Sequence, residues 1–96
     1  MRPSEALAAK RDEVRAIIEG SCVSNPRIFG SVARGEDTET SDLDLLVDVA
    51  VGASLFDLAG TTIALEDLLG VRVDLIDEGA IKPRFKLRIK DDIRPL

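Results

Sequence analysis

Two carboxylates separated by one apolar residue, Asp42-Leu43-Asp44, follow a Gly30-Ser31 pair with ten residues between, and nothing else restricts the fold of this chain as much. The run continues Leu45-Leu46-Val47-Asp48, an apolar segment with the length and bounds of a strand. On a strand, Asp42 and Asp44 point to one face, roughly 6 to 7 Å apart along the chain, while Leu43, Leu45 and Val47 point into a core. Two hard oxygen ligands on one face suit Mg²⁺, which is usually bound by one or two carboxylates together with substrate phosphates. Upstream, Ile28-Phe29 reads as a strand that ends at Gly30, and the Gly30-Ser31 turn can present backbone N–H groups and a hydroxyl to those phosphates. The arrangement is that of a phosphoryl-transfer site.

The rest of the chain supplies a scaffold around this stretch. Ser4 to Glu19 reads as one helix, with Leu7, Val14, Ile17 and Ile18 on a stripe, Ser4 as a candidate cap and Gly20 as its stop. Pro26 restricts what precedes the first strand, placed at Arg27 to Phe29. A short helix follows from Ser31 to Arg34, then a polar loop from Glu36 to Thr40 and a strand from Leu43 to Val49. Ser54 with Asp57 three residues on is a capping-box pattern. The helix it opens carries Leu55, Leu58, Thr62, Leu65 and Leu69 at helical spacing and closes at Gly70. Val71 to Ile76 alternates as a third strand, and Asp77 and Glu78 read as turn residues. Ala80 to Asp92 fits two patterns. Phe85, Leu87 and Ile89 alternate with cations as on a strand, whereas Phe85, Ile89 and Ile93 share one helix face and Arg88 with Asp92 makes an i,i+4 pair.

Composition excludes several classes of function. The 96 residues are expected to form one α/β domain, burying only about 60–65% of the unfolded surface, so partner contacts would matter to stability. Net charge is −5 and aromatic content 3%, with no Trp or Tyr, which argues against direct nucleic-acid binding. The absence of histidine removes Ser-His-Asp chemistry and most zinc sites. Cys22, the single cysteine, reads as a small buried hydrophobe in a reducing compartment. No signal peptide or membrane-spanning run is evident, so a cytoplasmic protein is expected. Counting from Asp42 as a calcium loop places Val47 where glycine is required and Ala53 where the bidentate glutamate belongs, so an EF-hand fails.

Gly30-Ser31, the ten-residue spacing and Asp42-x-Asp44 together resemble the signature of the nucleotidyltransferase fold of the DNA polymerase beta superfamily. The wording Gly-Ser-Val-Ala-Arg-Gly, then Ser-Asp-Leu-Asp-Leu-Leu-Val-Asp, is most similar to the minimal nucleotidyltransferases, antitoxin partners of HEPN-domain toxins. The order helix, strand, short helix, strand, helix, strand, helix gives an α/β fold with a small sheet of three to four strands flanked by helices, the opening helix behind the sheet and the carboxylate face open. The resemblance implies that this is the minimal nucleotidyltransferase fold, with a mixed sheet. It implies a helix over residues 80–92, and a third metal-binding carboxylate, matched here by Asp74 between Val73 and Leu75. Three converging carboxylates repel one another unless cations are bound. Asp42, Asp44 and Asp74 are thus the expected catalytic and metal-binding residues, for two Mg²⁺ ions. Gly30, Ser31 and Arg34 are the expected nucleotide-binding residues, with ATP as substrate.

The implied activity is AMP transfer from ATP to a tyrosine hydroxyl of a HEPN toxin, with release of pyrophosphate. This chain has no tyrosine, so the acceptor site would be completed by the partner. Some alternatives stay open. Ser31 reads as a helix cap as well as a phosphate ligand, Arg34 reads either as meeting a phosphate or as pairing with Glu36 or Asp37, and Asp48 lies too far along the strand to reach the same ion. The Lys82 to Lys90 run is a solvated face, or a face toward an acidic partner or nucleotide phosphates. The chain could also neutralise a toxin by occlusion alone, or act on small molecules, although relatives of that last kind are longer.

Overall fold

The computed structural model describes residues 1–96. Its elements are α1 (Pro3–Ala9), α2 (Arg11–Glu19), β1 (Val23–Phe29), α3 (Gly30–Arg34), β2 (Leu43–Val49), α4 (Leu55–Leu69), β3 (Val73–Asp77), a 3₁₀ turn (Glu78–Ala80), α5 (Pro83–Ile89) and β4 (Arg94–Pro95). The strands form one mixed sheet in the order β3-β2-β1-β4. β2 and β3 run parallel, while β1 is antiparallel to both β2 and β4.

β2 is the centre of the sheet because both of its faces are occupied. Leu43, Leu45 and Val47 are fully buried on one face with Val14, Ile18, Leu65 and Leu69 from α2 and α4. Leu46 is buried on the other face with Phe29 and Ile89, the last from α5. Asp44 lies on this second face, so the carboxylates share a side of the sheet with α5. Both sides of the alternation expected for β2 hold, with the same strand limits.

Several boundaries differ from the sequence reading, each for a local reason. The opening helix is broken at Lys10, whose backbone leaves the helical region at φ −128°. The break lets Ala6 and Leu7 on α1 and Val14 and Ile18 on α2 all reach the same core. Ser4 does not cap α1, which starts one residue earlier, and Glu5 accepts the Arg2 N–H at 2.9 Å instead. β1 begins at Val23, not Arg27, because a bulge absorbs Pro26. Ser24 lies opposite Asp48 and Arg27 opposite Leu46, so one extra residue is inserted. Asn25 takes a φ of 50°, a conformation Asn tolerates better than most residues. Proline, with no N–H to leave unpaired, is tolerated at such a bulge.

β3 starts at Val73, two residues late. The stretch from Ala80 resolves as helix over Pro83–Ile89, as the resemblance implied, with β4 added against the Arg27–Ile28 edge of β1. On α4 the buried threonine is Thr61, not Thr62, and Leu55 at the first turn is 83% exposed. The capping box does form. Ser54 Oγ accepts the Asp57 N–H at 3.1 Å and Asp57 Oδ2 accepts the Ser54 N–H at 2.9 Å.

Since α4 backs the strand that carries the carboxylates, its cap contributes to the stability of the site. Ser54→Ala should cost about 1 kcal/mol of unfolding free energy, measured by urea denaturation. An unchanged midpoint would show that the box contributes nothing.

Candidate active site

β1 delivers the chain to the site and Gly30 turns it. Its φ of +74° is one that glycine adopts without strain, and a Cβ built there would stand 2.5 Å from Asp44 Oδ2. Glycine at this position therefore answers to two demands, the turn into α3 and the approach of Asp44. Phe29, the residue before it, lies opposite Asp44 in the antiparallel register. The Gly-Ser turn and the second carboxylate are thus brought together by strand pairing.

The parallel register of β2 and β3 sets Asp44 beside Asp74. Burial raises the Asp44 carboxyl first, the charges of Asp74 and Asp42 raise it further, and a hydrogen bond shared with Asp74 adds to this, taking its pKa to about 6. Arg34 acts in the opposite direction. Asp42 precedes β2 and is half-buried, with Arg72 Nε 3.9 Å from its Oδ1. The three acids are near enough to repel, but their oxygens do not close into a ready three-ligand cage.

Other residues singled out in the sequence have partners. Arg34 donates from Nε to Glu36 Oε1 and from Nη1 to Asp92 Oδ2, both at 2.7 Å. Asp92, from the turn after α5, gave no signal in the sequence as a partner for Arg34. Ser31 is the second residue of α3 and not its cap, the capping position being Phe29. Asp48 is removed from the site, bonded to Asn25 at 3.1 Å and Arg27 at 2.8 Å, and both hold its carboxyl below the usual range. Asp77 caps the following turn, accepting the Gly79 N–H at 2.9 Å.

Asp37 is not a partner of Arg34. It is 5% exposed, and its Oδ2 accepts the Ser4 N–H at 2.8 Å. Burial pushes its carboxyl up, but the bonds from Ser4 outweigh this and hold it below the ordinary value. Met1 reaches the same loop, its amine 2.7 Å from Glu39 Oε2. The chain's first residues thereby fasten the loop that carries Asp42. Nothing in the local pattern at position 37 marks it, because its partner is 33 residues away.

A fold of this topology, with a Gly-Ser turn against paired strand carboxylates, defines a nucleotidyl-transfer class of protein. The chain belongs to the nucleotidyltransferase domain family, which it matches over residues 5–95. Among relatives, a Methanocaldococcus jannaschii protein provisionally named a protein adenylyltransferase is 40% identical over 91 residues, covering 94% of this chain and 93% of its own. The protein adenylyltransferase MntA of Thermococcus cleftensis is 41% identical over 76 residues, covering 79% and 74%. A solved structure provisionally described as a minimal nucleotidyltransferase superposes with a TM-score of 0.84 at 44% identity, over 97% of this chain and 95% of that one. The fold is shared also by a toxin–antitoxin crystal structure with AMP-PNP, at a TM-score of 0.75 and 17% identity, over 88% and 69%.

The raised Asp44 pKa has a consequence for the protein without metal. Between the ordinary value of 3.8 and about 6, the folded state keeps a proton that the unfolded state has lost. Stability from this group therefore falls as pH rises through that window and is level above it. Asp44→Asn should remove this component of the slope, measured by denaturation in chelator from pH 4 to 7. An identical slope in the variant would refute the assignment.

Proposed function

We propose that this chain is an Mg²⁺-dependent protein adenylyltransferase that moves AMP from ATP onto a tyrosine hydroxyl of a HEPN-domain toxin, and so acts as its antitoxin. The observation that carries the reading is Asp44, flanked by Asp74 and Asp42 and set against a glycine with no room for a side chain. Its support from relatives is that the Thermococcus cleftensis protein is named a protein adenylyltransferase and the Methanocaldococcus jannaschii one provisionally so, and that the same fold occurs in a toxin–antitoxin structure with a nucleotide analogue.

Asp42, Asp44 and Asp74 would hold the Mg²⁺ ions, as an all-oxygen donor set suited to a hard cation. Bound there, the metal would neutralise the three acids and the charge that develops on the transferring phosphoryl group. The hydroxyl of Ser31 and the backbone at the Gly30-Ser31 turn would bond the triphosphate oxygens. Arg34 would set its charge beside them while held by Glu36 and Asp92. The acceptor oxygen would form its bond to the α-phosphorus as the bond to pyrophosphate breaks, and Asp74 would assist removal of the hydroxyl proton. The partner must bring the acceptor, since this chain has no tyrosine.

Mg·ATP should raise the melting temperature, because a ligand that binds only the folded state stabilises it. Asp42→Asn should abolish that shift without destabilising the metal-free protein, through relief of like-charge repulsion. Asp44→Asn should bind the toxin normally, leave it unmodified by mass spectrometry, and fail to protect cells that make both proteins. Protection by this bound but inactive variant, with no AMP on toxin made alongside the wild type, would establish occlusion instead.

A further inference from the structure

The five cations of residues 82–90 have no role in the chemistry above. Lys82, Arg84, Lys86, Arg88 and Lys90 fall in a segment without a single acid, leaving eight cations against all eighteen acids elsewhere in the chain. All five are exposed. Lys86 pairs with Glu78 at 2.9 Å, and the other four form no ion pair. A concentrated basic surface on an acidic protein is an electrostatic feature in its own right.

Its geometry is that of a docking face. Phe85 and Ile89 turn inward, the Phe85 ring meeting Phe29 edge-on at 6.0 Å and Ile89 packing with Phe29 and Leu46. At 3.6 residues per turn, Leu87 then falls on the opposite side of α5, between the row Arg84–Arg88 and the row Lys86–Lys90. Leu87 is 72% exposed. Beside it an open hollow of about 420 Å³ is lined by Pro83, Lys86, Leu87, Lys90 and Ile93, its wall built from side-chain carbon and lysine stems. An apolar centre within a charged rim is the anatomy of a protein interface.

Its position links it to the site. Phe29, on which α5 rests, lies opposite Asp44 in the sheet. The Arg34–Asp92 pair ties the turn after α5 to α3, which opens on the Gly30-Ser31 turn. A protein seated on α5 would lie on the side of the sheet that carries the carboxylates.

We propose that the outer face of α5 is where the acceptor protein docks, through an acidic surface surrounding one or more apolar side chains that cover Leu87 and the hollow. The proposal rests on the adenylyltransferase reading and names the chemistry of its partner. Charge complementarity selects an acidic partner, and it disfavours a second copy meeting α5 against α5, which would set ten cations face to face. Nucleic acid is disfavoured because no aromatic side chain is free here to stack a base, Phe85 being packed on Phe29.

The test uses the full chain, affinity-tagged and co-expressed with a HEPN-domain protein of the kind proposed above as acceptor. Arg84→Glu with Arg88→Glu, and separately Leu87→Asp, should weaken capture about tenfold or more, most of all at low salt for the charge reversal. With that protein as acceptor, each variant should raise KM while leaving kcat and the Mg·ATP melting shift as in the wild type. Asp44→Asn should do the reverse, keeping capture and losing transfer. Wild-type transfer together with normal capture and KM in both α5 variants would overturn the docking face alone. A smaller Mg·ATP shift in the Arg84/Arg88 variant would assign the cations to nucleotide phosphates and overturn it. So would a single-stranded RNA oligonucleotide bound by the wild type and lost in that variant, or a wild-type dimer in gel filtration that Leu87→Asp dissolves. No capture and no AMP transfer by the wild type would overturn both readings.

Discussion

The backbone of Gly30 lies so close to Asp44 that a Cβ there would stand 2.5 Å from Oδ2 and force the carboxylate to move, and the site is arranged around that approach. Asp44 is itself hemmed by Asp74 and Asp42, and burial first, with repulsion from both neighbours adding to it, leaves a carboxyl that holds its proton to about pH 6. Such repulsion costs folding free energy when no cation is present. It falls on the strand best able to tolerate it, because Leu43, Leu45 and Val47 on the reverse face are fully buried. Burying a side chain of this size contributes about 1.5–3 kcal/mol. The hydrophobic face of β2 thus holds in place a polar face that would otherwise separate.

The second constraint is the fastening of the loop between α3 and β2. Asp37 is buried and accepts from Ser4, while Glu39 takes the amine of Met1. The first residues of the chain therefore position the approach to Asp42. Asp37 Oδ1 has no partner within the chain, so the anchor is a charged group satisfied on one side only. Removing one partner of such a buried group is costlier than the net value of the bond, since the remaining charge stays desolvated.

The sheet divides the labour of the molecule. On one side α2 and α4 cover the core and carry no part of the site. On the other, α5 packs over Phe29 and Leu46 at one end and leaves the carboxylates open at the other. Arg34 joins these parts, bonded to Glu36 and Asp92 while its charge also reaches Asp44. It is a structural tie and an electrostatic contributor at once.

What the sequence determined by itself was local and periodic. The limits of β2 and α4, the Ser54–Asp57 box and the Gly70 stop were all legible, because alternation, helical spacing and capping are settled within a few residues. The Gly30-Ser31 and Asp42-x-Asp44 pattern identified the family for the same reason. Tertiary structure alone decided the rest. Pro26 set the start of the first strand at Arg27 on local grounds, yet pairing with β2 carries β1 back through a bulge at Asn25 to Val23. The Arg94–Pro95 strand exists only because β1 offers an edge. Leu55 matched the buried stripe of α4 but extends past the core it was expected to join. Asp37 finds Ser4, and Arg34 finds Asp92, across 33 and 58 residues, distances over which no local pattern carries information.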